Sequence, residues 1–285
     1  MKINRISPDK HKFLQITTTI AKVPEKLHFI GTLPETRIPS VAIVGTRKPT
    51  AYGKEVGHTL AFDLAKRGVA VISGLALGID AIAHRGALEA GGTTIAVLGN
   101  GLPDIYPATH KDLARQITER GGAIISEYEP GVSARQYQFL ERNRLVSALS
   151  DAIIIVEAAA RSGTLNIAGH ALEQGREVFV VPGNITSPLS AGCNNLLKQG
   201  AHPVTCASDV LEVIAPHLLK AQSILPLGNT PLESRLIELL QSGVRSGDQL
   251  QQESGAAPSE FNQTLTMMEI TGTIRSLGSN QWALR

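Results

Sequence analysis

Seven short segments that are apolar at nearly every position recur along this chain, each followed by a stretch with amphipathic helical spacing. The apolar segments fall at 41–44, 69–72, 94–98, 123–126, 152–156, 177–181 and 203–206. The helical patterns fall at 52–67, 79–90, 109–120, 139–149, 164–174, 191–199 and 208–219. A strand with one wet face alternates apolar and polar residues, whereas one that is apolar throughout is covered on both faces. Such strands alternating with helices predict a doubly wound, mostly parallel α/β sheet, an extended Rossmann-like domain over 41–223. Ligands of such sheets bind outside the carboxyl ends of the strands, so the residues just after each strand carry most of the functional information.

The flanks read differently. Residues 1–40 hold seven Lys and Arg against three acids and are interrupted by Pro24, Pro34 and Pro39, which predicts a short, mostly irregular, solvated lead-in. Pro226, Gly228 and Pro231 mark a linker over 224–231. Beyond it, helical patterns at 232–240, 246–253 and 258–270 precede alternating apolar residues around Gly278-Ser279-Asn280. Three helices and a hairpin make a winged helix over 232–285. From residue 226 onward there are four arginines, no lysine and six acids, and the third helix carries Glu260 and Glu269 with no cation. A recognition helix in a DNA groove brings cations to phosphates, so this module is expected to contact protein, or the other domain, rather than DNA.

Charge and cysteine content narrow the function. The formal net charge is only +2, so any attraction to nucleic acid must come from a local patch. Two cysteines, Cys193 and Cys206, build neither a disulfide framework nor a four-thiolate zinc site. No apolar run reaches the roughly 18–20 residues of a membrane span. The polar start lacks the apolar core of a signal peptide. The expectation is a cytoplasmic protein that engages no membrane.

After the first strand stands Gly45-Thr46-Arg47-Lys48, suited to holding phosphate oxygens or, equally, to a tight turn with a solvated arginine. Neither G-x-G-x-x-G nor G-x-x-x-x-G-K-[ST] occurs, which excludes the usual dinucleotide fingerprint and a P-loop ATPase. After the second strand, Gly74 and Gly78 suit a close backbone loop. Asp80 and His84 share one helix face there and read as dipole and hydrogen-bonding residues, since two side chains do not complete a metal site. Asp104 and Tyr106, after the third strand, are explained as well by loop geometry as by ligand contact.

Between 134 and 144, Arg135, Arg142 and Arg144 interleave with Tyr137 and Phe139, next to Gln136 and Asn143. Arginines neutralise phosphates and aromatic faces stack on unpaired bases, a combination suited to single strands. The other reading is a core phenylalanine with a surface ion network. Ser162, Gly163 and Thr164 open a helix whose free N–H groups make an anion site.

Together, VAIVGTR at 41–47, SGLALGIDAIAH at 73–84, TIAVLGNGLPDIYP at 94–107, FxxRNR at 139–144, SGTL at 162–165 and VFVVPG at 178–183 resemble the DNA-processing protein A family (DprA, also called Smf) over 24–219, with a weaker match of the tail. The resemblance implies an extended Rossmann fold that is not an oxidoreductase. It implies a homodimer that binds single-stranded DNA in a basic pocket and helps load the RecA recombinase during DNA uptake and recombination. By motif, Arg47 grips backbone, Phe139 stacks on a base, and Arg144 with Asn143 holds the pocket; Gly45, Thr46, Lys48, Gly74, Arg135, Gln136, Arg142, Ser162, Gly163 and Thr164 complete the expected DNA-binding set. Gln136 stands where the family usually has lysine, and Leu140 where it has proline. The family's N-terminal helical module is expected to be absent.

The rival class is a nucleotide sensor or nucleotide-processing protein of the related phosphoribohydrolase-like superfamily. Its hydrolases carry P-G-G-x-G-T-x-x-E, and here the catalytic glutamate's place after Gly163-Thr164 is taken by Ile167 with no Pro-Gly-Gly before it. Catalysis and a cofactor are therefore not expected.

Overall fold

The computed structural model describes residues 2–220 and 230–284, in two compact units, 1–219 and 220–285. The first begins with β1 (Asn4–Ile6) and β2 (Leu27–Gly31). Strands and helices then alternate: β3 (Ser40–Val44), α1 (Ala51–Lys66), β4 (Ala70–Ser73), α2 (Ile79–Glu89), β5 (Thr94–Leu98), α3 (Lys111–Glu119), β6 (Ala123–Ser126) and α4 (Gln136–Ala148). They continue through β7 (Ala152–Ile155), α5 (Leu165–Glu173), β8 (Glu177–Val180), α6 (Ala191–Lys198), β9 (His202–Pro203), α7 (Ala207–Ile214) and α8 (Pro216–Lys220).

The sheet runs β1-β2-β6-β5-β4-β3-β7-β8-β9, and β3 to β9 are all parallel. Every residue of β3, β4, β5, β6 and β7 is buried, as their nearly continuous apolar sequences require. One core layer under α4 and α5 holds Val146, Leu149 and Ile167. Another, under α1, α2 and α7, holds Leu60, Leu64, Ile79 and Val210.

The first 40 residues correct the expectation of an irregular lead-in. β2 pairs antiparallel with β6, Phe29 opposite Ile125, and β1 pairs antiparallel with β2. Phe13 and Leu14 are wholly buried in the core. This segment completes the sheet because β6 would otherwise leave an unpaired edge. At the opposite edge, the strand expected at 203–206 shrinks to two residues, with Pro203 at an edge position that tolerates its missing N–H.

Strand order reverses at β3. The chain goes from β3 to β4, β5 and β6 on one side, then returns to β7 against the other side of β3. A crevice opens at such a switch point, beyond the carboxyl ends of the diverging strands.

The linker expected over 224–231 lies, as far as residue 229, outside the described residues. Pro231 already opens a helix capped by the Thr230 side chain. In this second unit α9 (Pro231–Gln241), α10 (Gly247–Ser254) and α11 (Pro258–Ile270) pack Leu236, Leu250, Phe261 and Leu265 together. The hairpin β10 (Ile274–Gly278) and β11 (Gln281–Leu284) turns through Ser279 and Asn280, at φ 49° and 56°, values that suit a tight hairpin turn. Together these elements form the expected winged helix. Among the described residues no helix is long and apolar enough to cross a membrane.

Candidate nucleic-acid interface

The segment after β3 is pinned on both sides. The Thr46 amide donates to the Glu157 carbonyl at 2.8 Å, and its carbonyl accepts from the Ile79 amide at 3.2 Å. Gly78 permits this approach: its φ is +82°, and a Cβ there would stand 2.3 Å from the Thr46 oxygen. Further along, the buried Glu157 carboxylate accepts from the Thr50 hydroxyl at 2.6 Å and the Thr50 amide at 3.0 Å. Thr50 in turn caps α1 by accepting from the Gly53 amide. Arg47 and Lys48 therefore stand exposed on a short loop with both ends fixed.

Across the crevice lies the start of α5. The Ser162 hydroxyl accepts from the Thr164 amide, and the Thr164 hydroxyl donates to the Gly45 carbonyl at 3.2 Å. The third wall is α4, where Phe139 and Asn143, four apart, face the same side. Together these parts enclose a groove of about 490 Å³ lined by Gly45, Thr46, Arg47, Lys48, Phe139, Arg142, Asn143, Ser162, Gly163 and Thr164. It sits at the topological switch point. Ten of the fourteen residues singled out from sequence meet there.

Gly74 lines an adjoining notch of about 70 Å³ with Arg47, Tyr106, Phe139 and Arg142. The Tyr106 ring lies 5.2 Å from that of Phe139, tilted by 36°, and is half exposed. Its place after β5 was the only sequence signal for it.

Arg142 departs from a phosphate-gripping role. It is buried on the groove floor, where its guanidinium donates to the Gly74 and Val97 carbonyls and ties β4 to β5. Beside it, Asp80 accepts from the amides of Gly74 and Ala76. Burial raises the Asp80 carboxyl above the usual range, against the pull of Arg142 and these amides.

Arg144 is a correction. It turns away from the groove into the protein and pairs with Glu127. One turn of helix cannot point residues 142 and 144 the same way. Arg135 and Gln136 are exposed at the start of α4 and do not line the groove. The helix starts earlier than expected because the Gln138 side chain accepts from the Arg135 amide at 2.5 Å, closing its first turn.

No group of three or more His, Cys, Asp or Glu side chains that could hold a metal ion occurs among the described residues. His84 Nδ1 is hydrogen-bonded to the Thr94 hydroxyl at 2.7 Å. Cys193 is buried, which pushes its thiol up to about 11.

A family model described as DNA recombination-mediator protein A matches residues 4–215. The chain belongs to the DNA recombination-mediator protein A family. A second model, the DprA winged helix domain, matches 220–280. A putative DNA processing protein DprA of Mycobacterium tuberculosis is 41% identical over 247 residues, 84% of this chain and 63% of the relative. Protein Smf of Escherichia coli is 47% identical over 189 residues, 66% of this chain and 50% of the relative. The chain thus spans less than two thirds of either curated relative. Among solved structures, DprA from Streptococcus pneumoniae superposes with a TM-score of 0.69 at 36% identity, covering 75% of each chain. DNA processing protein A from Helicobacter pylori, described for its single-stranded DNA binding mode, gives 0.67 at 34% identity, covering 78% of this chain and 97% of its own.

Proposed function

We propose that this chain binds single-stranded DNA in the groove at the switch point, and through it helps load the RecA recombinase during DNA uptake and recombination. One observation carries the reading: two cations on a loop fixed at both ends and an aromatic ring line one groove. Arg47 and Lys48 neutralise phosphates, and Phe139 stacks on a base. The Helicobacter pylori relative, whose description concerns single-stranded DNA, supports it. The protein acts as a binding protein and a homodimer, and its acidic winged helix contacts protein.

Titration of a fluorescent oligo-dT at two salt concentrations, with duplex as control, tests the binding. The expected result is preference for the single strand and an affinity that falls as salt rises. Equal affinity for duplex, or no salt dependence, overturns it. The loading role is tested by RecA filament assembly on single strands with and without the protein, and the dimer by sedimentation.

The groove volume also suits one mononucleotide, which favours the nucleotide-sensor reading as the second choice. A mononucleotide that displaces oligo-dT at concentrations near its binding constant selects that reading.

A further inference from the structure

The loops after β4 and β5 are fastened to the core and to each other. The buried Asn100 side chain donates to the carbonyls of Gly101 and Asp104, at 3.1 and 2.7 Å. The Gly101 amide donates to the Val132 carbonyl at 2.8 Å. The buried His110 Nδ1 donates to the Leu75 carbonyl at 2.8 Å, which ties one loop to the other. Ile105 packs against the core, and the next residue, Tyr106, is half exposed. Its ring is thus presented from a fixed backbone, as Arg47 is from the loop after β3.

The notch that Tyr106 lines is continuous with the groove, since Arg47 and Phe139 line both. Ala76 and Leu77 from the loop after β4, with Pro107 beside Tyr106, make its walls apolar. Arg47 supplies a cation to a phosphate, and the apolar walls suit a flat, uncharged ring attached to it. A nucleobase on a strand already held in the groove is such a ring.

The rings of Tyr106 and Phe139 lie 5.2 Å apart, a contact distance for an aromatic pair, so no base fits between them. A strand passing over the pair can instead place one base on the outer face of each. Tyr106 keeps half of its surface open, which propping Phe139 alone does not require.

We propose that Tyr106 is a second stacking residue: the base next to the one on Phe139 lies in the notch against the Tyr106 ring. This rests on the single-strand reading above.

The test is an abasic scan on an oligo-dT cut to the shortest length that keeps full affinity, so that the strand cannot shift its register. Oligomers lacking one base at successive positions are titrated into the unaltered chain, Phe139→Ala, Tyr106→Ala and Tyr106→Phe. In the unaltered chain two neighbouring positions should each cost about tenfold in affinity, the scale of one stacked base. The loss at one should vanish in Phe139→Ala, and the loss at its neighbour in Tyr106→Ala. Tyr106→Ala should bind the intact oligomer about tenfold more weakly at every salt concentration. Tyr106→Phe keeps the ring and should keep both losses.

If both alanine variants erase the same position, Tyr106 does no more than prop Phe139 and the proposal falls. It falls too if Tyr106→Ala binds the intact oligomer as the unaltered chain does, or if Tyr106→Phe loses as much as Tyr106→Ala. In each case the groove itself stands provided that Arg47→Ala still weakens binding. If Arg47→Ala has no effect, both readings fall. Should Tyr106→Ala not fold, the scan on the unaltered chain and Phe139→Ala decides: a neighbouring position that survives the loss of Phe139 supports the second stack, and a single position overturns it.

Discussion

The Glu157 carboxylate holds Thr50 by two bonds, 2.6 Å from the hydroxyl and 3.0 Å from the amide, while that hydroxyl also accepts from the Gly53 amide. One threonine thus joins the end of the Arg47 loop, the start of α1 and the end of β7. Thr50→Val removes the α1 cap and one of the carboxylate's two donors. Unfolding free energy in urea should fall by about 1–3 kcal/mol. Single-strand affinity should fall with it, because Arg47 and Lys48 lose their fixed base. Weaker binding at unaltered stability would mean that Thr50 itself touches the strand.

Arg47 and Phe139 should fail in different ways. Arg47→Ala removes one charge from phosphates, so affinity should drop by about 1–3 kcal/mol, and log affinity should fall less steeply with log salt. Phe139→Ala removes a stacking face, with a loss of about 1–3 kcal/mol that is nearly independent of salt. Oligo-dT titrations at several salt concentrations read both. Equal changes in slope would mean that Phe139 does not stack.

Arg144 makes the opposite case. It and Glu127 are both largely buried, at 9% and 16% side-chain exposure. Arg144→Ala strands that carboxylate and should cost about 2–5 kcal/mol of stability. The salt slope of single-strand binding should stay as it is, since no phosphate contact is lost. A flattened slope would place Arg144 on the backbone after all.

The sequence made β3 to β8 legible because strands buried on both faces are apolar at nearly every residue. It hid β2, whose five residues lie between Pro24 and Pro34 and whose partner β6 comes far later in the chain. Local pattern carries no trace of that pairing. Within the groove, Arg47 and Ser162 to Thr164 were legible from their positions just after strands, and Phe139 with Asn143 from the arginine–aromatic run and the family motif at 139–144. The arginines of α4 were not separable by pattern. Which of them faces ligand depends on the Gly74 and Val97 carbonyls and on Glu127, all contributed by other parts of the chain. Tyr106 was hidden for a related reason, because only the folded loop after β5 brings its ring to Phe139.

His84 gives the fold a defined acid sensitivity. Thr94 spends its hydroxyl proton on the Val71 carbonyl at 2.7 Å, so it must accept from His84 Nδ1, also at 2.7 Å. The imidazole is then neutral, with Nε2 buried and without a partner among the described residues. Adding a proton would place a charge there with no acceptor. Burial, with His110 and Arg142 nearby, accordingly lowers its pKa from 6.5 to about 3. The unfolded chain takes up a proton near pH 6.5 and the folded chain does not until about pH 3. Above the unfolded value the group has no effect. As pH falls through this window the unfolded state gains, and stability declines by up to about 1.4 kcal/mol per pH unit for this one group. His11 and His28, also lowered by burial, act in the same direction. Urea unfolding between pH 7 and pH 4 should show the decline, and His84→Gln should make it shallower by nearly one proton. A variant with the same pH slope as the unaltered chain would show that His84 is already charged in the folded protein.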